Sequence, residues 1–250
     1  MPKKKEKNGI CRLCKHHKLL RESHILSEFL HDEMYDSNHQ IAVVSQAYGG
    51  HISRINKGRW EYLLCDEHEN FLNTEYETYA SDIYRNEIIP RLKNKCEGFE
   101  LAGIDYDKFK LFQLSLIWRM SVSSDEAFTK VNLGPDEEII RKMLLAKDPG
   151  KAHEYGVIMA STKYKGRMLL DGMTEAKLQP VEGMKAYSIF IAGIVYTFFI
   201  SNGLEFFPGQ GLFLSANGCL TIPCLEAEDI PFLFEAIDDT QKVLRKNIED

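Results

Sequence analysis

Apolar positions along this chain change period partway through its length. Residues 109–120 (FKLFQLSLIWRM) and 135–145 (PDEEIIRKMLL) repeat apolar side chains at the three- and four-residue intervals of a helix. Pro135 with Asp136, Glu137 and Glu138 makes a good helix start, because proline pre-sets the first turn and the acids face the positive end of the helix dipole. The sequence KDPG at 147–150 is the strongest turn signal, and the period is strand-like beyond it. Residues 156–164, 167–170, 186–201 and 211–223 read as strands, and 229–248 closes the chain as an amphipathic helix. Strands in succession followed by one helix predict an antiparallel sheet covered on one face, an α+β arrangement.

The first third has another character. Residues 9–80 hold few long apolar runs, seven of the eight histidines and a glycine-rich polar middle, AYGGHISRINKGRW. Within them, 25–34 predicts a short helix, 40–45 and 60–64 predict strands, and 68–83 has helical spacing through Phe71, Leu72, Tyr76 and Tyr79. The expected division is a basic disordered tail at 1–8 with Lys3, Lys4, Lys5 and Lys7, a metal-organised module at 9–85, and a helical segment plus α+β domain at 86–250. The uncharged stretch 186–204 approaches the length of a membrane span, but its β-branched and aromatic content, its hydroxyls and Gly193 suit buried strand.

At 250 residues and 44% hydrophobic, the chain can bury a real core, and its net charge of -6 gives no global sign of a polyanionic partner. The distribution changes that picture. Residues 1–60 carry eleven Lys and Arg against six Asp and Glu, so a nucleic-acid contact is expected at the N-terminal end. The opening MPKKKEKNG has no apolar core of a secretory signal, which implies a cytoplasmic chain without a membrane partner. In that compartment Cys-x-x-Cys is more often a metal element than half of a disulfide framework.

Cys11-Arg-Leu-Cys14 can bring two thiolates to one ion, and Cys65-Asp-Glu-His68 repeats the spacing with an imidazole in place of a thiol. Three thiolates and one histidine satisfy tetrahedral zinc completely, so the expected site is closed and structural. The competing reading makes Cys14 and Cys65 ordinary buried side chains. His16 and His17 read as an exposed basic turn, and Cys96, Cys219 and Cys224 as ordinary thiols.

Cys11-x-x-Cys14, then Ser23-His24-Ile25-Leu26, then Leu64-Cys65-x-x-His68-Glu69, resembles the zinc-containing branch of the HNH endonucleases over residues 9–80. The resemblance implies a ββα-metal module in which His24 acts as general base and Glu69 and Asn73 on the following helix hold a catalytic Mg²⁺ or Mn²⁺. Phosphodiester hydrolysis needs such a base and a cation to neutralise charge on the phosphate. It also implies a nucleic-acid substrate, DNA first, and a place among effectors of bacterial defence. Arg12, Lys18, Arg21, Arg54, Lys57 and Arg59, with Trp60 and Tyr48 among them, form the expected phosphate-binding set. Two departures stand out. Ser23 occupies a position where many members have Asp or His, and the asparagine expected shortly before Leu64 is missing from Gly58-Arg59-Trp60-Glu61. Glu61, Glu75 and Glu77 are candidates to fill a rearranged site.

The alternative is a zinc-organised module that binds nucleic acid or protein without cutting. A protein partner through the C-terminal domain is compatible with either reading. A third, an unrelated enzyme with a phosphate loop at Pro208-Gly-Gln-Gly211, lacks the following Lys and helix start and reads as a turn.

Overall fold

The computed structural model describes residues 7–45, 51–94 and 97–249. In chain order these form β1 (Lys7–Ile10), β2 (His17–His24), a 3₁₀ helix (Glu28–Met34), β3 (Ile41–Ser45), β4 (His51–Ile55) and β5 (Trp60–Cys65). The helices α1 (Asp66–Leu72), α2 (Thr78–Ile83) and α3 (Ile89–Asn94) follow, then β6 (Phe99–Leu101), α4 (Tyr106–Val122) and α5 (Asp136–Ala146). The remainder is β7 (Val157–Tyr164), β8 (Arg167–Met168), β9 (Lys177–Leu178), β10 (Ala186–Ile191), β11 (Ile194–Phe199), β12 (Leu220–Ile222), β13 (Cys224–Glu226) and α6 (Pro231–Glu249). The architecture is α+β, as the pattern predicts.

The N-terminal segment is built on an antiparallel sheet, β1-β2-β5, beside a separate β3–β4 hairpin. Sequence reading anticipates β3 and β5 and misses β1, β2 and β4, because KNGI, HKLLRESH and HISRI alternate too weakly between apolar and polar. Lys7 and Asn8, placed in the expected tail, pair with Leu20 and Leu19 in β1, and Lys3, Lys4 and Lys5 lie outside the described residues, as do Tyr48 and Cys96.

The helix expected at 68–83 starts earlier and runs further. Two π-helical stretches, Asn73–Glu77 and Tyr84–Ile88, join α1, α2 and α3 end to end. Leu72, Tyr76, Ala80, Tyr84, Ile88 and Leu92 are all buried, at a strict spacing of four. An α-helix turns roughly 100° per residue, so such a stripe would drift by about 40° at each step. The wider π turns take up that drift and keep the stripe on the core.

α4 is buried all round, with 13 of its 17 residues in the interior, which explains its nearly unbroken apolar sequence. Phe112 on α4 meets Phe29 of the 3₁₀ helix, Tyr84 of the long helical run and Phe109, and one continuous core extends from Cys11 to Ile222.

In the six-stranded sheet the order is β13-β7-β11-β10-β9, with β8 on β7, antiparallel except that β13 runs parallel to β7. The run at 186–201, expected as one strand, is two strands joined by Ala192 and Gly193, both at positive φ. That is the backbone of a tight hairpin turn, and the rest of the run alternates between two buried faces. Ile189, Ile191 and Ile194 face the main core, whereas Phe190 and Val195 pack with Phe232 and Leu233 of α6. Both faces are therefore covered, against the expectation of one. Of 211–223 only β12 is strand, and it pairs with β6; of 167–170 only β8 is. Among the described residues no helix is long and apolar enough to cross a membrane.

Phe112→Ala should lower unfolding free energy by about 3–5 kcal/mol in urea titrations, as removal of a fully buried aromatic does. A loss below about 1 kcal/mol would contradict the central place given to α4.

Candidate metal centre and active site

Cys11 follows β1 and opens a tight turn before β2. Its N–H donates to His16 O at 2.9 Å, the Lys15 N–H donates to Cys11 O at 2.8 Å, and Lys15 takes a left-handed φ of 62° to close the knuckle. The Arg12 N–H donates to Leu63 O at 2.9 Å, which fastens the knuckle against β5. Cys65 ends β5 and His68 lies in the first turn of α1, so the strand-to-helix junction presents the second pair.

The ligand atoms of Cys11, Cys14, Cys65 and His68 all lie within 4.8 Å of one another, with Cys65 Sγ 3.1 Å from His68 Nδ1. Among the described residues no other group of three or more His, Cys, Asp or Glu side chains is this close. The electrostatics suit a cation. Burial raises the Cys11 thiol, but amides of Cys14, Cys65 and Leu13 outweigh it and hold the group below its ordinary value. Burial, and the nearby Cys11 and Cys14 after it, push Cys65 up to about 11 despite the His68 amide. Burial keeps His68 neutral by lowering its pKa, as a ligand requires. Adjacent thiolates that cannot all ionise alone become compatible around a divalent ion, so the set fits a metal such as zinc.

His24 closes β2, opposite Trp60 on β5, and α1 follows β5 directly. Its Nε2 is 3.0 Å from Glu28 Oε2, and Glu28 also accepts the Tyr35 hydroxyl. Burial, reinforced by Lys57 and Arg119, lowers the His24 pKa against the pull of Glu28 and Glu77. The imidazole is thus held neutral beside the Glu28 carboxylate, and the contact is one of proximity: neither His24 Nε2 nor Glu28 Oε2 completes a hydrogen bond to a protein group. Glu69 reaches the same neighbourhood from α1. Burial raises its pKa, against the Ser23 hydroxyl, Arg119 and Lys57, and its Oε2 is buried without a protein partner. Ser23 is fully buried; it accepts the Leu64 N–H at 3.3 Å and shares its own proton between Glu69 and the Arg21 carbonyl at 3.5 Å.

Asn73 is exposed at the start of the first π-helical stretch, so it does not share the buried surroundings of Glu69 four residues earlier. Glu61 is engaged by the hydroxyls of Ser123 and Ser124, Glu75 by Lys147, and Glu77 by Ser27 and Arg119. Of the six expected phosphate-binding cations, Lys18 pairs with Glu67, Arg21 with Asp66, Arg54 with Asp36, Lys57 with Glu22 and Arg59 with Asp125, while Arg12 is exposed beside the knuckle. Pro208-Gly-Gln-Gly211 lies between β11 and β12 and runs into a short 3₁₀ turn, Gln210–Leu212. Cys219 and Cys224 are free thiols.

Three members of the cluster escaped sequence reasoning. Glu28 and His31 follow His24 at intervals of four and seven, a helical spacing visible in SHILSEFLH. His31 is 1% exposed, neither ring nitrogen has a protein partner, and its ring packs so closely on Gly58 that any Cβ there would come within 2.7 Å of it. Arg119, the third, is also 1% exposed; a charge inside the apolar run LSLIWRM was the available signal.

No protein-family model, curated protein or solved structure matches the chain.

Stripping metal with a strong chelator at neutral pH should lower the thermal midpoint, and Cys11→Ser should lose most bound metal while weakening near-ultraviolet circular dichroism, because ligand and fold are linked. A chelated, metal-free protein that melts at the original temperature would rule out a structural role for the four-residue centre.

Proposed function

We propose that this protein is a divalent-metal-dependent endonuclease of HNH type that hydrolyses phosphodiester bonds of nucleic acid, DNA in the first instance. The observation that carries this reading is the neutral imidazole of His24, 3.0 Å from the Glu28 carboxylate with its Nε2 free of hydrogen bonds, in one neighbourhood with the buried, partly unpartnered carboxylate of Glu69. These two groups stand on the strand pair β2–β5 and the helix that follows it, and the Cys11, Cys14, Cys65 and His68 centre fastens that junction. Zinc is the assigned ion there, since three thiolates and one imidazole leave no open position.

His24 takes the proton of the attacking water, and the charge of the nearby Glu28 stabilises the imidazolium that forms. Glu69 would hold a Mg²⁺ or Mn²⁺ ion, for which a carboxylate oxygen is the preferred donor, and Asn73, exposed further along the helix, takes no part in it. Such an ion supplies charge neutralisation at the phosphate. The exposed cations Arg12, Lys18 and Arg21 draw in the nucleic-acid backbone.

The second reading, a zinc module that binds without cutting, draws support from Ser23, whose hydroxyl is spent on the Leu64 N–H and is a weak substitute for a carboxylate.

The test is nicking of supercoiled plasmid by zinc-loaded protein with added Mg²⁺ or Mn²⁺. His24→Ala should reduce the rate by about 10²–10⁴-fold, the usual contribution of a general base. Because burial disfavours the charged imidazole, kcat/KM should rise with pH and reach half its plateau below about 6.5. Retained nucleic-acid binding with no cleavage of DNA or RNA by the metal-loaded wild type would replace this reading with the second.

A further inference from the structure

Arg119 lies on α4, 95 residues from His24 in sequence, and its guanidinium is 1% exposed. One arm donates to the His24 backbone carbonyl at 2.9 Å. The other reaches the Ser27 hydroxyl at 3.1 Å and Glu77 Oε1 at 2.5 Å, and the Ser27 hydroxyl in turn donates to Glu77 at 2.9 Å. Nε turns back to the Ser115 carbonyl of α4 itself at 3.3 Å, which sets the plane of the fork. A planar, delocalised cation with donors in fixed directions is thereby engaged on both its arms, a geometry lysine cannot reproduce.

The carbonyl it holds belongs to His24, at the point where β2 ends and the chain turns toward the 3₁₀ helix that carries Glu28. Ser27, one residue before Glu28, is the next contact. Arg119 therefore grips both ends of the short span joining the imidazole to the carboxylate that lies beside it. We propose that Arg119 is a positioning residue for His24, so that the chemistry of the N-terminal segment is completed by α4. This rests on the reading of His24 as the general base. It extends that reading to a residue outside the stretch that resembles a nuclease, and gives the helical middle of the chain a part in the site.

Two variants of the full, zinc-loaded chain test it. Arg119→Lys keeps the charge beside Glu77 and gives up the fork. Arg119→Met combined with Glu77→Gln removes both charges together, and serves where the first variant fails to fold. His24 is followed by the NMR resonances of its ring, assigned with His24→Gln, and plasmid cleavage is followed in parallel. The ring resonances should move or broaden in both variants, while kcat falls by tenfold or more and KM stays within about twofold, since misplacement by an ångström is enough for such a loss. Folded variants whose His24 resonances stay at wild-type positions overturn the proposal, whatever happens to the rate. If the wild type cleaves nothing, the endonuclease reading fails by itself, and the ring resonances still decide whether Arg119 positions His24.

Discussion

A full charge sits inside the most apolar helix of this protein, and a buried charge persists only where protein groups replace the water it has lost. α4 cannot satisfy Arg119 alone; its own contribution is the Ser115 carbonyl and hydroxyl. The remaining acceptors, His24 O, Ser27 Oγ and Glu77, all come from the N-terminal segment, so that segment has to dock on α4 for the core to be tolerable. Neighbouring contacts repeat the pattern. Arg59 pairs with Asp125 at 2.7 Å, Glu61 receives Ser123 and Ser124 just past the end of α4, and Arg141 of α5 donates to the Leu13 carbonyl within the metal-binding knuckle. Each joins a polar group near the centre or the candidate site to one of the middle helices.

The knuckle solves a different problem. The β1-β2-β5 sheet is small, β1 is exposed over most of its length, and three strands with one helix bury little apolar surface. Ligands drawn from the β1–β2 turn and from the β5–α1 junction meet at one end of that sheet, where Leu20 pairs with Cys65. The raised Cys65 thiol and the lowered Cys11 thiol share one crowded pocket: burial first, and the neighbouring Cys11 after it, raise Cys65, whereas backbone amides outweigh burial at Cys11. An ion bound by this set would couple metal binding to folding at this point.

What could be read from the residues follows from how local each signal is. The ligand set was legible because both pairs carry their own spacing, and α4 and α5 because 109–120 and 135–145 keep helical intervals over three turns. The strands β1 and β2 were not, since Lys7–Ile10 and His17–His24 owe their conformation to pairing with each other and with β5. The π-helical stretches follow from the four-residue stripe running from Leu72 to Leu92, a regularity that shows only when the helix is followed as one element past Ile83. At the candidate site, His24 and Glu69 were marked by their motifs. Glu28 and His31 were within reach of a helical count from His24, whereas Arg119 was placed by tertiary structure alone, and a charge in an apolar helix names no partner.

The ion pairs along the basic face divide by exposure, and that division bears on how a polyanion would be met. Lys18 with Glu67 and Arg21 with Asp66 are open to solvent on both sides, with the Arg21 and Asp66 side chains 54% and 63% exposed. Such pairs contribute little net stability, because water and salt compete for both charges. Losing either pair would therefore disturb the fold little. Arg59 and Asp125 are only 23% and 20% exposed, and Lys57 with Glu22 is similarly sheltered, so exchanging those partners would strand a half-buried carboxylate. Five of the six cations that sequence groups together thus separate in space into two kinds, while Arg54 on β4 pairs with Asp36. Lys18, Arg21 and the exposed Arg12 face outward around β2 and the knuckle, where a backbone could approach, while Lys57 and Arg59 are committed to holding the β5 side of the site in place. On the endonuclease reading, the approach to His24 runs along β2 and the start of α1, where Glu67 and Asp66 are the partners that a phosphate displaces.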